Sequence, residues 1–239
     1  MIRAADASDS LIFTGEMYGL QLDHLAGLLG GSQRGATATV SRWTTAGLAE
    51  SDNLGPGHRW IWLTKAGLAA CGLPFTARAP ALSQLAHLRA VTAARLALAA
   101  TPQFTAGQGY WRSERRIRAR FGRRIAIREH VPDGEVHWPE CTGLAWAGEC
   151  WAIEAELTPK TVVKTVAIMR ELLARTGDYG CEPADILVPG QPQRHARAIY
   201  LCSPAARNVV ARARDEAGDL ADRIEIRPLP ADALRRPAS

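Results

Sequence analysis

The chain has 239 residues and is 47% hydrophobic, enough for one large domain or two small ones with a buried core. Its formal net charge is +5 and its pI about 9.2, and almost all of the positive charge is Arg, with Lys only at Lys65, Lys160 and Lys164. Guanidinium forks suit phosphate, so nucleic acid is a candidate partner class, with a high-GC genome as the plainer explanation of the Arg content. Five Cys, an odd number without a CxxC pair, show no visible zinc knuckle or disulfide framework, so reduced thiols and a cytoplasmic location are expected. No signal peptide is apparent, and the longest apolar stretch, 90–100, is broken by Arg95 and too short to span a bilayer, so no membrane partner is expected.

Residues 1–10 are polar and read as a frayed end. A helical pattern runs from Tyr18 to Leu29, with Leu22, Leu25, Leu28 and Leu29 on one side, and stops at Gly30–Gly31. Ser32–Ala36 reads as a turn exposing Arg34. A second helix is expected over Thr37–Ala46, burying Val40 and Trp43, with Gly47 as its C-cap. A short strand starts at Leu48, residues 52–57 form a turn rich in breakers, and Arg59–Leu63 returns as a strand. Thr64 caps a helix over Lys65–Cys71, closed by Gly72. This order over residues 11–73 resembles a winged helix-turn-helix. The resemblance implies that the second helix enters a major groove of double-stranded DNA, presenting Thr39, Arg42 and Thr45. Arg34, and His58 and Arg59 in the wing, would reach phosphates. A winged helix used for protein docking is the rival reading, because the recognition face carries few positive charges. Winged-helix proteins often act on symmetric sites, so a homodimer is an arrangement the sequence allows.

Pro74–Pro80 reads as a linker, which places a DNA-binding domain at 1–78 and a second domain at 79–239. A helix is expected over Ala81–Ala100, with Leu85, Leu88 and Val91 towards a core. Arg112, Arg115, Arg116, Arg118, Arg120, Arg123, Arg124 and Arg128 make 111–128 the densest charge in the chain, either a phosphate-tracking patch or a solvated helix face. Glu114 within it is either an active-site carboxylate or the partner of Arg118 one helical turn on. Strands are expected at Ile125–His130, Trp151–Leu157, Ala198–Cys202 and 224–226. Helices are expected from Thr158-Pro159 to Arg175, with Val162, Val166, Met169 and Leu173 buried, and from Ser203-Pro204 to Ala217. Strands separated by helices indicate an α/β sheet with parallel segments, α+β for the chain as a whole.

On a strand over 151–157, Trp151, Ile153, Ala155 and Leu157 share one face, and Glu154 and Glu156 the other. If Asp133 ends a neighbouring strand, three acids converge, and hard oxygen ligands suit Mg²⁺. A charged, solvent-facing strand surface is the plainer reading. Val131-Pro132-Asp133-Gly134 followed by Ile153-Glu154-Ala155-Glu156 resembles the PD-(D/E)xK nuclease superfamily, whose restriction-endonuclease-like domain has a mixed central sheet. With the winged helix, Trp111-Arg112-Ser113-Glu114-Arg115, His130-Val131-Pro132-Asp133-Gly134 and the run from Ile153 to Thr161, the chain is similar to the replication-relaxation family of actinobacterial plasmids and integrated mobile elements. That resemblance implies Mg²⁺ or Mn²⁺ on Asp133 and Glu154, helped by the Ala155 carbonyl. Glu156 stands where the superfamily usually has Lys, so Glu156 or Lys160 would orient the attacking water, and a surface lysine is the plainer reading of Lys160. The function implied is a metal-dependent DNA endonuclease acting in replication, relaxation or transfer. The alternative is a non-catalytic transcriptional or replication regulator built on a degenerate nuclease fold.

Overall fold

In the computed structural model, the residues described are 7–55, 57–106, 109–121, 130–140, 144–174 and 195–233. Contacts divide the chain into two units, 1–97 with 231–239, and 98–230. The protein is mixed α/β: N-terminal helices with a small antiparallel sheet, then a five-stranded mixed sheet with helices.

The first unit contains α1 (Ala7–Glu16), β1 (Leu20–Gln21), α2 (Leu22–Leu28), α3 (Gln33–Thr45), β2 (Ala49–Asp52), β3 (Trp60–Leu63), α4 (Lys65–Ala70) and most of α5 (Leu85–Ala99). The helix α1 was not expected from a polar N-terminus. It forms because Leu11, Phe13 and the following Met17 have a core to enter, while the buried Thr14 hydroxyl donates to Ser10 O at 2.7 Å. The helix expected from Tyr18 begins only at Leu22. Tyr18 adopts φ +62 and Gly19 φ +139, and Leu20 instead pairs with Ile61, giving a sheet in the order β1-β3-β2. The next helix starts earlier than expected, because the Ser32 side chain accepts from Gly35 N and places Arg34 in the first turn of α3.

Gly47, at φ +69, ends that helix, and Leu48 N reaches back to Trp43 O at 2.8 Å. Thr64 closes the next junction twice, accepting from Gly67 N and donating to Gly47 O at 2.6 Å. The helix expected from Ala81 is divided into a single 3₁₀ turn, Leu82–Gln84, and α5.

The second unit continues with α6 (Pro102–Ala106), β4 (Tyr110–Ser113), α7 (Glu114–Phe121), β5 (Gly134–His137), β6 (Cys150–Glu156), α8 (Val162–Ala174), β7 (Arg197–Cys202), α9 (Pro204–Glu216) and β8 (Ile224–Pro228). Strand order is β4-β5-β6-β7-β8; the first three are antiparallel, and β6, β7 and β8 run parallel. Strands β4 and β5 were not expected, and the strand expected at Ile125–His130 falls largely outside the described residues. The apolar stripe of α8 packs as its period predicts: Val166, Met169 and Leu173 meet Ala198, Tyr200 and Cys202 of β7 and Val210 and Ala213 of α9. On the other sheet face Trp138, Trp146 and Trp151 stack edge-on or tilted at 5.1–5.9 Å.

The start of α8 corrects another expectation. Thr158-Pro159 does not open the helix; Thr161 caps it, accepting from Lys164 N at 3.3 Å. The chain leaving β6 is tied instead to the turn after β7. Ser203 N bonds Glu156 O at 2.9 Å and the Ser203 hydroxyl bonds Leu157 O at 2.7 Å. Residues 158–161 are therefore irregular, and Lys160 lies before the helix rather than in its first turn.

Candidate active site

Strand β6 is the central strand of its sheet and is buried along its whole length. Glu154 and Glu156 share a face, but that face is not solvated: they are 2% and 4% exposed. The reading of a charged outer strand surface is therefore wrong, because α8 lies over this side of the sheet. Antiparallel pairing of Gly134 with Ile153 brings Asp133, the residue before β5, beside Glu154. The Asp133 side chain is fixed there by Ala155 N, which donates to Oδ2 at 2.8 Å.

Burial pushes the Glu154 carboxyl up to about 7, and the neighbouring Asp133 charge adds to this. His130, two residues before Pro132, offsets part of it; Nε2 lies 2.8 Å from Glu154 Oε1. Burial alone would lower the imidazole, but the hydrogen bond and charge of Glu154, with Asp133, raise it. His130 is itself positioned through its backbone N, which donates to Glu171 Oε1 of α8 at 2.6 Å. Lys160 ion-pairs with Glu156. Desolvation lowers the Lys160 ammonium, yet Glu156, followed by Glu154 and Asp133, leaves it raised overall and firmly charged.

Tyr200 completes the surroundings. It pairs in register with Glu154 from the parallel strand β7, is fully buried, and its hydroxyl has no hydrogen-bond partner among the described residues. Burial, then the charges of Glu154 and Glu156, hold this phenol far above its usual range, so it remains a donor.

Of the expected catalytic residues, Asp133, Glu154, Glu156 and Lys160 are thus brought together. Glu114 is not free to join them as a ligand: its carboxylate pairs with Arg118 at 2.6 Å, although its backbone N donates to Asp133 O at 3.3 Å. Several expected DNA contacts are also displaced. Arg112 is 3% exposed and ion-pairs with Glu135 at 3.4 Å, because β4 turns it inward, and Arg115 is 7% exposed. Arg116 is half-buried and Arg118 exposed, while Arg123, Arg124 and Arg128 lie outside the described residues.

On α3, Thr39 is buried and receives Arg42 Nη2 at 3.1 Å, so it does not face outward; Arg34, Arg42 and Thr45 are exposed. Arg59 is exposed, and the half-buried His58 faces Asp23 at 3.7 Å.

His130 belongs to the motif read around the Pro-Asp pair but carries no assigned role there, and Tyr200 is not indicated as a site residue by the sequence at all. His130 had a visible signal in its place just before the Pro-Asp pair. Tyr200 had none, since its neighbour Glu154 depends on a parallel register. Comparison with known families, curated proteins and solved structures gives no match for this chain.

The residues present fit a hard divalent cation. Two carboxylates, one half-buried and one buried, crowd each other, and Glu154 is difficult to ionise without a compensating charge. Mg²⁺ commonly uses one or two carboxylates and keeps its remaining waters. Among the described residues, no third carboxylate, imidazole or thiolate atom converges with these two at ligand spacing.

Proposed function

We propose that the protein is a DNA-binding, metal-dependent DNA endonuclease, with a winged helix-turn-helix in the first unit and a restriction-endonuclease-like second unit. The observation that carries the reading is the buried Asp133–Glu154 pair, held by the Ala155 N–Asp133 bond on adjacent strands. The five-stranded mixed sheet, with Asp133 just before β5 and Glu154 on the adjacent β6, supports it, since a mixed central sheet is what the nuclease resemblance implies.

Asp133 and Glu154 would hold Mg²⁺ or Mn²⁺, with the Ala155 carbonyl nearby. The bound ion supplies charge for the scissile phosphate and acidifies a water. The chain's own residues do the rest. His130 holds the Glu154 carboxyl in one orientation through Oε1. Lys160, tied to Glu156, places a fixed positive charge at the end of β6, where a phosphate oxygen gains charge as the bond breaks. In the first unit, Arg34, Arg42 and Arg59 supply exposed cations for a DNA backbone, and Thr45 a short polar contact.

One observation favours the non-catalytic alternative: Glu156 occupies the usual lysine position and occupies Lys160 in an ion pair, so no ammonium at that site is free of a carboxylate. A regulator would bind double-stranded DNA with no need of metal.

Supercoiled DNA incubated with Mg²⁺, Mn²⁺ or EDTA, beside Asp133→Ala, separates the two. Metal-dependent nicking lost in the variant supports the nuclease. A gel shift unchanged by EDTA, without cleavage, supports the regulator. Calorimetric titration of Mn²⁺ into the wild type and Asp133→Ala reads the site independently of activity.

A further inference from the structure

A second polar cluster lies on the same sheet face, away from the Asp133 side chain, and nothing in the nuclease reading uses it. Glu135 and His137 alternate on β5, Cys150 opposes His137 on β6, and His195 leads into β7. All four are buried, at 2%, 5%, 3% and 1% exposure. We infer that Glu135, Cys150 and His195, with His137 beside them, form a site for a thiophilic divalent ion such as Zn²⁺, open when Cys150 is reduced.

Geometry supports the ligand set. One ligand atom each from Glu135, Cys150 and His195 lie within 4.8 Å of one another. His195 Nε2 is 2.9 Å from Glu135 Oε1, His137 Nε2 is 3.2 Å from Glu135 Oε2, and Cys150 Sγ is 3.8 Å from His137 Nε2. Bonds of about 2.0–2.3 Å to a tetrahedral ion set neighbouring ligand atoms roughly 3–4 Å apart. His195 Nδ1 is anchored on Leu172 O at 2.8 Å, which leaves Nε2 pointing into the cluster. Anchoring the remote ring nitrogen on a carbonyl is how metal-binding imidazoles are usually oriented. The mixture of imidazole, thiolate and carboxylate selects Zn²⁺ over Mg²⁺.

Cys150 is disulfide-bonded in this structure, which removes its sulfur as a thiolate ligand. Reduction by a dithiol opens the site. The dithiol gives up two electrons and becomes a disulfide, the protein's S–S bond breaks, and each cysteine sulfur leaves as a thiol. Zn²⁺ then takes the Cys150 sulfur as its thiolate, and the thiol proton passes to solvent. Arg112 Nη1, 3.4 Å from Glu135 Oε2, compensates that carboxylate when no ion is bound, so the fold does not require the metal.

The test uses the whole chain, one sample reduced with dithiothreitol and desalted anaerobically and one left oxidised, each titrated with Co²⁺. The reduced protein should develop a thiolate-to-cobalt charge-transfer band that saturates at one ion per chain and is bleached by Zn²⁺. The oxidised protein should not. A cation on Asp133 and Glu154 gives no such band, so the two sites are distinguished. Cys150→Ser should abolish the band, and His195→Gln should weaken Co²⁺ binding about tenfold or more. The inference is overturned if the reduced wild type shows no band, if the oxidised protein shows the same one, or if the band survives Cys150→Ser through Cys71 or Cys202. Circular dichroism of Cys150→Ser reports folding; if His195→Gln does not fold, the redox comparison and Cys150→Ser still decide.

Discussion

Replacing Glu154 by Gln keeps the size of the side chain and an acceptor for His130, and removes the charge. The Glu154 carboxyl is pushed up to about 7 by burial and then by Asp133, from an ordinary 4.5. Between these values the folded protein holds a proton that the unfolded chain has released, so stability falls as pH rises through that window and levels off above it. An ionised Glu154 at pH 8 therefore costs roughly 3 kcal/mol, taking about 1.4 kcal/mol per factor of ten in proton affinity. His130 acts in the same direction: Glu154 raises it, so its contribution is present below about 6.5 and is lost as pH rises through its folded value. The two groups are coupled through the hydrogen bond between them, so their contributions are not added.

Urea unfolding in EDTA, from about pH 5 to pH 8, should show the wild type losing stability with rising pH and Glu154→Gln losing much less. At pH 8 the variant should be the more stable, by up to about 3 kcal/mol; near pH 5 the two should be close. Adding Mn²⁺ at pH 8 should raise the wild-type midpoint and leave the variant's nearly unchanged. Parallel wild-type and variant profiles across the whole range would refute the account of Glu154 as a strained buried acid.

Three further outcomes are expected. Arg34→Ala and Arg42→Ala should each weaken binding to double-stranded DNA and reduce the slope of log affinity against log salt by about one, measured by fluorescence anisotropy; unchanged slopes in both would remove α3 from the interface. Gly67→Ala should lower the thermal midpoint, because a Cβ there would clash with the Leu48 carbonyl oxygen, and relieving such overpacking costs about 1–3 kcal/mol. Tyr200→Phe should stabilise the metal-free protein by about 1 kcal/mol in urea, since it removes a buried hydroxyl without a partner; a loss of stability instead would show that the hydroxyl is bonded.

Patterns local in sequence were legible. The stripe of α8, the Gly47 cap and the shared face of Glu154 and Glu156 follow from periods of 3.6 and 2 and from the backbone freedom of glycine. What failed depended on tertiary partners. Arg112 looked like a phosphate contact because its neighbours are Arg, but β4 pairs with β5 and turns it onto Glu135. Thr39 was assigned to the outer face of its helix by spacing alone, and its burial depends on what packs against α3. Thr158-Pro159 has the composition of a helix start, yet the chain leaving β6 is tied to the turn after β7. None of these competitors is adjacent in sequence to the residue it redirects.

The deepest contrast in the second unit is between two glutamates on one sheet face. Glu135 pairs in register with Ala152, two residues from Glu154 along β6, and both carboxyls are 2% exposed. Burial pushes each of them up. At Glu135, hydrogen bonds and charge from His137 and His195 overcome burial and hold the carboxyl well below the usual range, with Arg112 also at 3.4 Å. At Glu154 the nearest charged neighbours include another acid, and a single half-buried imidazole does not compensate. Equal burial with opposite outcomes means that the partners, not the desolvation, separate the two sites. Glu135 has a counter-charge built into the chain in Arg112, so an ion there would take its selectivity from sulfur and imidazole. At Glu154 the neighbouring His130 and Lys160 do not overcome burial and the Asp133 charge, so a hard cation bound there would favour the ionised carboxylate. Under the proposed nuclease reading, the undercompensated glutamate, Glu154, is the one that would hold the ion.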